Sequence, residues 1–361
     1  MNLPALYIHI PFCERKCLFC SFAIAVGQKH RREEYVSALI AEMKKYEGTA
    51  VSTVYFGGGT PSMLEEDHFD FLMSAIRKNF SLKSTAEIAI EANPESVDDR
   101  KAKALKALGF NRISLGVQSL NDRYLKFLGR AHDAETARSA YRSLREAGFE
   151  NINLDLMYAF PGQTDEELGE DVRAIAALKS EHLSLYTLTI EPNSRFYAKQ
   201  MKLDDDEKCA AQYVLIGELL RAEGFEQYEI SNFAKPGFQS AHNKNYWLGG
   251  AYIGLGMGAH GFTGRRRAWN TPRLQDYIEC ASSGQDAVEG FEDLTDEQIV
   301  MEKVLFGLRM NEGIPISMLP SDRQKLVDEW INDGLLELHD QKLKTTNKGR
   351  LVLDELSVRL I

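Results

Sequence analysis

Residues 7–22 read Tyr7-Ile8-His9-Ile10-Pro11-Phe12-Cys13-Glu14-Arg15-Lys16-Cys17-Leu18-Phe19-Cys20-Ser21-Phe22 and place three of the five cysteines of the chain in the spacing C-x3-C-x2-C. The apolar residues at the start of this stretch predict a strand over residues 5–10, so the cysteines lie on a tight loop at its end. Three thiolates on one loop can bind three irons of a cubane [4Fe-4S] cluster and leave the fourth iron open to another ligand. We therefore expect an iron–sulfur cluster with one open coordination position.

Two other interpretations of the cysteine loop remain open. The three thiols can be buried or unpaired and bind nothing, or they can bind zinc with His9 as the fourth ligand. Zinc sites usually combine paired C-x2-C units, and His9 lies within the predicted strand, so the spacing favours the cluster.

The overall composition narrows the class of protein. With 361 residues, of which 44% are hydrophobic, the chain is long enough for an α/β barrel with a smaller appended unit. An excess of 53 acidic over 43 basic residues gives a net charge of -10, which disfavours nucleic acid as the main partner. The odd number of cysteines and the need for reduced thiols predict a cytoplasmic protein. Because no signal peptide or membrane-spanning segment is recognisable, at most peripheral membrane contact is expected.

Segments with strand and helix patterns alternate up to about residue 235. A helix, a glycine cap, an aromatic residue and a strand recur at Gly109, Gly148 and Gly224, and a fourth copy is expected near residues 179–181, where no glycine stands. This alternation predicts a parallel sheet with right-handed crossovers, and about seven strands favour a full or partial (β/α) TIM-type barrel. A barrel of this kind carries its site at the C-terminal ends of the strands. The predicted strands are 5–10, 52–56, 87–93, 112–117, 151–158, 182–190 and 227–231.

The repeating pattern stops after Phe233, which predicts three regions. They are a barrel over residues 1–235, a glycine- and aromatic-rich linking region over 236–290, and a smaller α+β region over 291–361. In the third region, helices followed by a short hairpin and a last helix are typical of a winged-helix module, although the acidic composition argues against DNA binding.

Polar residues lie at the ends of two predicted strands, within another and on a following loop, all on the expected site face. Residues 57–60 form a glycine-rich turn, which suits close approach of a ligand to the backbone. Acidic and amide side chains can hydrogen-bond hydroxyl groups, and a guanidinium can pair with a carboxylate. Taken singly, each such residue is more often a cap or a structural hydrogen-bonding group. The side chains concerned are those of Glu91, Gln118, Arg130 and Asp155.

The cysteine loop resembles that of the radical S-adenosylmethionine (SAM) enzymes. In that superfamily the open iron binds the amino and carboxylate groups of SAM, and reduction by the cluster cleaves a carbon–sulfur bond to give an adenosyl radical. The resemblance implies that Cys13, Cys17 and Cys20 bind the cluster and that Phe19 packs near the adenine.

Further motifs resemble, in order and over nearly the whole chain, the family of the oxygen-independent coproporphyrinogen III oxidase HemN and its relative HemW. They are YIHIPFC at 7–13, GGGTPS at 57–62, EANP at 91–94, GVQS at 116–119, DLMY at 155–158 and FPGQT at 160–164. The resemblance implies SAM contacts from Tyr7, Gly58, Gly59, Thr60, Glu91, Gln118, Arg130 and Asp155, with Thr189 and Ile253 as further candidates.

Two features separate these relatives. The oxidase has the spacing C-x3-C-x2-C-x-C, whereas Phe22 stands at the position of the fourth cysteine here. The oxidase also carries a longer segment before its first strand. Both departures favour HemW, a family understood as heme-binding proteins that deliver heme to acceptors such as respiratory enzymes.

The stretch His242-Asn243-Lys244-Asn245-Tyr246-Trp247 matches the H-N-x-x-Y-W motif associated with heme binding in HemW. The resemblance makes His242 an axial or neighbouring heme contact, with Tyr246 and Trp247 as apolar walls. The plainer interpretation is a loop histidine beside core rings. The glycine-rich residues 254–261 can let the backbone approach a flat ligand or can form a turn that closes the barrel mouth. The arginines of 265–267 can pair with heme propionates or remain a solvated charge run.

The function expected from the sequence is therefore that of a heme chaperone with a SAM-binding [4Fe-4S] cluster. The alternatives are oxidative decarboxylation of coproporphyrinogen III propionates and a heme or iron–sulfur sensor. The expected partners are heme, heme-accepting proteins and a cellular electron donor for the cluster, and homodimer formation is left open.

Overall fold

Seventeen strands form three sheets within residues 3–360, the part of the chain that the computed structural model describes. Twelve strands join one large sheet, three form a sheet near the C-terminal end, and two pair beside the cysteine loop. In chain order the strands are β1 (Ala5–Ile10), β2 (Phe12–Cys13), β3 (Ala25–Val26), β4 (Thr49–Gly58), β5 (Phe80–Ala92), β6 (Arg112–Gln118), β7 (Ile152–Tyr158), β8 (His182–Thr187), β9 (Glu226–Gln227), β10 (Asn232–Ala234), β11 (Tyr252–Leu255), β12 (His260–Phe262), β13 (Arg266–Asn270), β14 (Val288–Asp293), β15 (Ile314–Pro315), β16 (Leu336–His339) and β17 (Lys342–Thr345).

The α-helices connect the strands and cover the sheet. In chain order they are α1 (Arg32–Met43), α2 (Glu66–Asn79), α3 (Asp99–Leu108), α4 (Asp122–Leu128), α5 (Ala134–Glu146), α6 (Asp165–Ala176), α7 (Arg195–Ala198), α8 (Asp206–Ala222), α9 (Ala241–Trp247), α10 (Leu274–Ser282), α11 (Asp296–Arg309), α12 (Gln324–Asn332), α13 (Asn347–Arg350) and α14 (Leu353–Leu360). No helix within residues 3–360 is long and apolar enough to cross a membrane.

Neighbouring strands of the large sheet run parallel in the order β11-β1-β4-β5-β6-β7-β8. Apolar side chains of these strands and of the crossover helices share one continuous core, whose burial drives the folding of this unit. The sheet stays open because β10 and β9 continue it antiparallel beyond β8, and β12 to β14 continue it beyond β11. The expected barrel is therefore present in its partial form.

The repeated helix and glycine cap are confirmed, and a strand follows each of the three glycines, although the one after Gly224 is only the two residues of β9. Gly109, Gly148 and Gly224 have positive φ angles of 99°, 85° and 80°, which glycine adopts without the steric cost of a Cβ atom. At the fourth copy Lys179 has a φ of 59°. The fold thus makes the same left-handed turn even where the sequence lacks glycine.

The strand predicted over residues 227–231 is wrong. Residues 228–231 lie between β9 and β10 and turn around Glu229, whose side chain is fully buried. Its carboxylate accepts hydrogen bonds from the Ser231 backbone at 2.8 Å and from Arg309 Nε at 3.0 Å. A buried carboxylate needs such partners, and satisfying them interrupts the strand.

Residues 236–290, expected to link two units, contribute strands to the large sheet. β11 pairs in parallel with β1 and places Gly254 opposite Tyr7. β12, β13 and β14 follow as an antiparallel extension. The short strands of this region carry little periodic signal, and their partner β1 lies far away in the sequence, so this placement required the tertiary structure.

A second apolar core lies in the C-terminal region. It contains Leu308, Trp330, Leu343 and Leu356 and is formed by α11, α12, α14 and the sheet of β15, β17 and β16. The order of helices and strands is that of the expected winged-helix-like unit.

Candidate functional site

The cysteine loop is held in place from two sides at the C-terminal ends of β1 and β4. The Thr60 N–H donates to the Phe12 carbonyl at 2.8 Å, which fastens the glycine-rich turn to the start of the loop. The Leu18 N–H donates to the Leu128 carbonyl at 3.0 Å, which fastens the loop to the end of α4. Backbone hydrogen bonds therefore tie the loop to the glycine-rich turn on one side and to α4 on the other.

A chain of hydrogen bonds joins two of the three predicted cluster cysteines. Cys13 Sγ lies 3.4 Å from Thr60 Oγ1, and Asn93 Nδ2 donates to the same hydroxyl at 3.0 Å. Arg130 donates to Asn93 Oδ1 at 2.7 Å through Nη2 and to Cys17 Sγ at 3.4 Å through Nη1. Donors directed at sulfur favour the thiolate, which is the form that binds iron. Sequence reasoning selected Thr60 and Arg130 but missed Asn93, whose position at a strand end was the available signal.

Burial opposes ionisation of two of the cysteine thiols, so iron would have to displace a proton from each of them. Burial raises the pKa of the Cys13 thiol to about 11 and also raises the pKa of Cys20. At neutral pH both thiols hold their protons until a metal replaces them.

The zinc alternative fits the site less well. His9 Nε2 donates to the Ala23 carbonyl at 2.9 Å, and His9 Nδ1 accepts from Tyr7 OH at 3.0 Å. Both ring nitrogens of the suggested fourth ligand are thus engaged. Within residues 3–360, no three His, Cys, Asp or Glu side chains converge as one metal ion would require. Cluster ligands bind separate irons, so three cysteines spread around a loop suit a cluster.

Two predicted carboxylates lie on strands of the parallel sheet, Glu91 near the end of β5 and Asp155 in the middle of β7. Glu91 accepts hydrogen bonds from Tyr55 OH at 2.8 Å and from the Gly58 N–H at 3.1 Å. Burial raises the pKa of Glu91 to about 7, a rise to which the charge of Asp155 contributes, and burial raises the pKa of Asp155 to about 6. A bound ammonium group would stabilise the carboxylate form of either residue. The pair suits a ligand that carries an amino group and hydroxyls.

Gln118 ends β6 in a left-handed backbone conformation with a φ of 70°. A residue with a Cβ atom adopts this conformation at a cost of about 1–2 kcal/mol, and such strain clusters at functional positions. Arg130 Nη2 donates to the Gly116 carbonyl at 2.8 Å, two residues before Gln118 on the same strand. The strained end of β6 therefore lies beside the hydrogen-bond chain of the cysteine loop.

Within residues 3–360, the side chains of three further predicted SAM contacts have no hydrogen bond to the cysteine loop or to the carboxylates of Glu91 and Asp155. Phe19 packs in an apolar cluster that includes Leu128. The Thr189 hydroxyl lies 3.3 Å from a carboxylate oxygen of Glu191. Ile253, on β11, packs against the main core.

His242 lies inside the fold, between β4 and the side chain of Tyr246. Its Nδ1 is 2.8 Å from Thr53 Oγ1 and its Nε2 is 2.8 Å from Tyr246 OH. The ring stacks on Tyr55 with 4.9 Å between centroids, and burial lowers the pKa of His242 to about 3. Both ring nitrogens of His242 thus have hydrogen-bond partners within the protein.

A cavity of about 820 Å³ opens beside the cysteine loop. It lies between that loop, β1, α9, β11 to β13 and α11, and Tyr7, Tyr246 and Trp247 line it. Its volume is in the range typical of small-molecule sites. Of the residues predicted to contact SAM, Tyr7 lines this cavity, where it meets Tyr246 and Trp247 of the predicted heme motif. Further aromatic side chains in its wall are those of Phe22, Tyr252, Phe262, Trp269 and Phe306.

The three consecutive arginines each have carboxylate partners. The pairs are Arg265 with Asp296, Arg266 with Asp293, and Arg267 with Glu292 and Glu302. Arg267 lines the cavity, and its guanidinium lies 5.5 Å from the centre of the Phe262 ring. A heme propionate would therefore share Arg267 with protein carboxylates.

Comparison with known protein families matches the N-terminal and C-terminal parts of the chain separately. Residues 7–175 match the Radical SAM superfamily and residues 294–352 match the HemN C-terminal domain. Proteins named heme chaperone HemW from Mycobacterium tuberculosis and Bacillus subtilis are each 35% identical to this chain. The alignments cover 96% and 97% of this chain and 92% and 97% of the relatives.

A solved structure has the same fold over almost the whole chain. It is the coproporphyrinogen III oxidase HemN from Escherichia coli, described as a radical SAM enzyme, with a TM-score of 0.86 and 27% identity. The match covers 99% of this chain and 90% of that chain. The radical SAM segment contains the cysteine loop and the strands that carry Glu91 and Asp155, and membership of that superfamily implies a [4Fe-4S] cluster and SAM. Together with the full-length relatives, these matches show that the chain belongs to the family of the heme chaperone HemW within the radical SAM superfamily.

Proposed function

We propose that the protein binds heme in the cavity beside the cysteine loop and transfers it to heme-accepting proteins. The observation that carries the proposal is the aromatic wall of this cavity of about 820 Å³. A porphyrin is a large, flat and mainly apolar ligand that stacks well on aromatic side chains. Tyr246 and Trp247 belong to this wall, so the motif expected to contact heme contributes to it directly.

The proposal includes a cluster on Cys13, Cys17 and Cys20 that binds SAM at its open iron and receives electrons from a cellular donor. Support comes from the hydrogen bonds that reach two of these sulfurs from Thr60 and Arg130. When bound, the cluster would supply the electron that cleaves SAM. The residues proposed to hold SAM are Tyr7, Phe19, Gly58, Gly59, Thr60, Glu91, Gln118, Arg130 and Asp155, with Thr189 and Ile253 at the margin.

The chaperone function is favoured over oxidative decarboxylation by two observations. The full-length relatives at 35% identity carry the name heme chaperone HemW, whereas HemN is 27% identical. Phe22 stands at the position of the fourth cysteine of the oxidase motif, and its side chain is 66% exposed at the cavity.

The test combines heme titration and turnover on the same anaerobically reconstituted protein. We expect a saturable Soret band, and no protoporphyrinogen when coproporphyrinogen III, SAM and a reductant are supplied. Loaded protein mixed with apomyoglobin should lose its heme to that acceptor faster than free heme release allows. Turnover of coproporphyrinogen would replace the proposal with the oxidase function, and a failure to bind heme would refute it.

The aromatic wall provides a matched pair of variants. Trp247→Ala removes a ring from the cavity and should weaken heme binding, because stacking area is lost. Trp330→Phe, in the separate C-terminal core, should leave heme affinity unchanged. Equal heme affinities in the two variants would argue against binding in this cavity.

A further inference from the structure

Three histidines lie in or near the cavity, and they differ in their hydrogen bonds. The ring nitrogens of His9 are engaged by Tyr7 and Ala23. Those of His242 are engaged by Thr53 and Tyr246. In the part of the chain that the structure describes, residues 3–360, His260 lines the cavity without a hydrogen bond through its ring. Of the three imidazoles, that of His260 is the one whose nitrogens are open to a ligand.

The position of His260 is set by the sheet. It begins β12, directly opposite Trp269 on β13. The two rings stack with 5.8 Å between centroids and an interplanar angle of 30°. Gly254 of β11 approaches so closely that an added Cβ atom would lie 1.8 Å from the His260 carbonyl oxygen. A ligand presented from a close-packed strand is held more accurately than one on a loop.

The protonation state of His260 also suits iron. Partial desolvation at the cavity wall and the neighbouring Arg267 charge lower the pKa of His260 below its ordinary value, although the residue as a whole is exposed. The imidazole is therefore neutral at physiological pH, the form that binds metal. Tyr7 and Tyr246, whose phenols line the same cavity, are held protonated because burial raises their pKa values. A phenolate ligand is correspondingly disfavoured.

We propose that His260 provides the axial ligand to heme iron in this cavity, with Trp269 supporting its ring. The inference rests on the proposed heme-binding function and assigns the iron to a residue outside the H-N-x-x-Y-W stretch. His242 then acts as a positioning residue, since its hydrogen bond to Tyr246 holds that ring in the cavity wall. Arg267 is the cation of the wall that a propionate can reach.

The test compares heme complexes of His260→Ala and His242→Ala in the full-length protein by absorption, magnetic circular dichroism and electron paramagnetic resonance. The wild-type spectra should be those of histidine-ligated heme. His260→Ala should lose that signature and bind heme about tenfold or more weakly, and added imidazole should restore the histidine-type spectrum. His242→Ala should keep histidine ligation even if its affinity falls.

Control variants distinguish a wrong ligand assignment from unfolding of a variant and from a failure of the protein to bind heme. His339→Ala, on the exposed C-terminal hairpin, should behave as the wild type. His260→Met keeps a side chain that can bind iron and should convert the spectrum to a methionine type, which gives a second readout if His260→Ala unfolds. A histidine-type spectrum in both His260 variants would overturn this inference while heme binding stands. Absence of heme binding by the wild type would refute the proposed function instead.

Discussion

Substitution of Gly58 by alanine should destabilise the junction between the glycine-rich turn and the cysteine loop. Gly58 has a φ of 112°. A Cβ atom added to it would lie 2.5 Å from His9 Cε1 and 2.6 Å from His9 Nδ1. The His9 ring cannot turn away freely, because the Tyr7 hydroxyl and the Ala23 carbonyl hold its two nitrogens. The added methyl group therefore meets an imidazole that is fixed on both sides.

Two costs determine the size of the effect. A residue with a Cβ atom pays about 1–2 kcal/mol for the left-handed conformation. Forcing a methyl group into a packed site costs about 1–3 kcal/mol more. The free energy of unfolding should therefore fall by about 2–5 kcal/mol. Gly284→Ala is the matched control, because Gly284 has a φ of 76° and no atom lies within 4 Å of an added Cβ.

Urea unfolding of the metal-free protein, followed by far-ultraviolet circular dichroism, measures both variants. In Gly284→Ala the free energy of unfolding should fall only by the conformational cost of about 1–2 kcal/mol. Because the turn that contains Gly58 is tied to the cysteine loop, Gly58→Ala should also retain less iron after reconstitution. Equal losses of unfolding free energy in the two variants would refute the argument from the clash with His9.

Two more predictions concern the cluster and the pH dependence of stability. Cys17→Ser should abolish the visible absorbance and iron content of the reconstituted cluster, whereas Cys280→Ser on α10 should leave both intact; unchanged iron in Cys17→Ser would contradict the ligand assignment. Burial raises the pKa of Glu91 from 4.5 to about 7. The folded state therefore binds the Glu91 proton more tightly than the unfolded state. The stability that this proton contributes is fully present below pH 4.5 and is lost as the pH rises to about 7. Relative to Glu91→Gln, the metal-free wild type should lose up to about 3 kcal/mol over this interval in urea unfolding, and parallel pH profiles for the two proteins would rule this out.

The sequence by itself determined the features that depend on residues close together in the chain. The spacing of Cys13, Cys17 and Cys20 placed three thiols on one loop, and the structure has that loop at the end of the predicted first strand. The glycine caps were equally local, because a single positive φ angle ends each helix. Strand alternation was sufficient to predict a parallel sheet and the edge at which the polar residues lie.

The tertiary structure decided which distant residues meet. The strand pairing of β11 with β1 brings residues 252–255 against the start of the chain and forms one wall of the cavity. Packing turned His242 inward onto Thr53 and left His260 open to the cavity, although both histidines lie in aromatic- and glycine-rich sequence. The physical reason is that sheet register and side-chain packing join residues far apart in the chain, and a local pattern of residue types carries no record of those contacts.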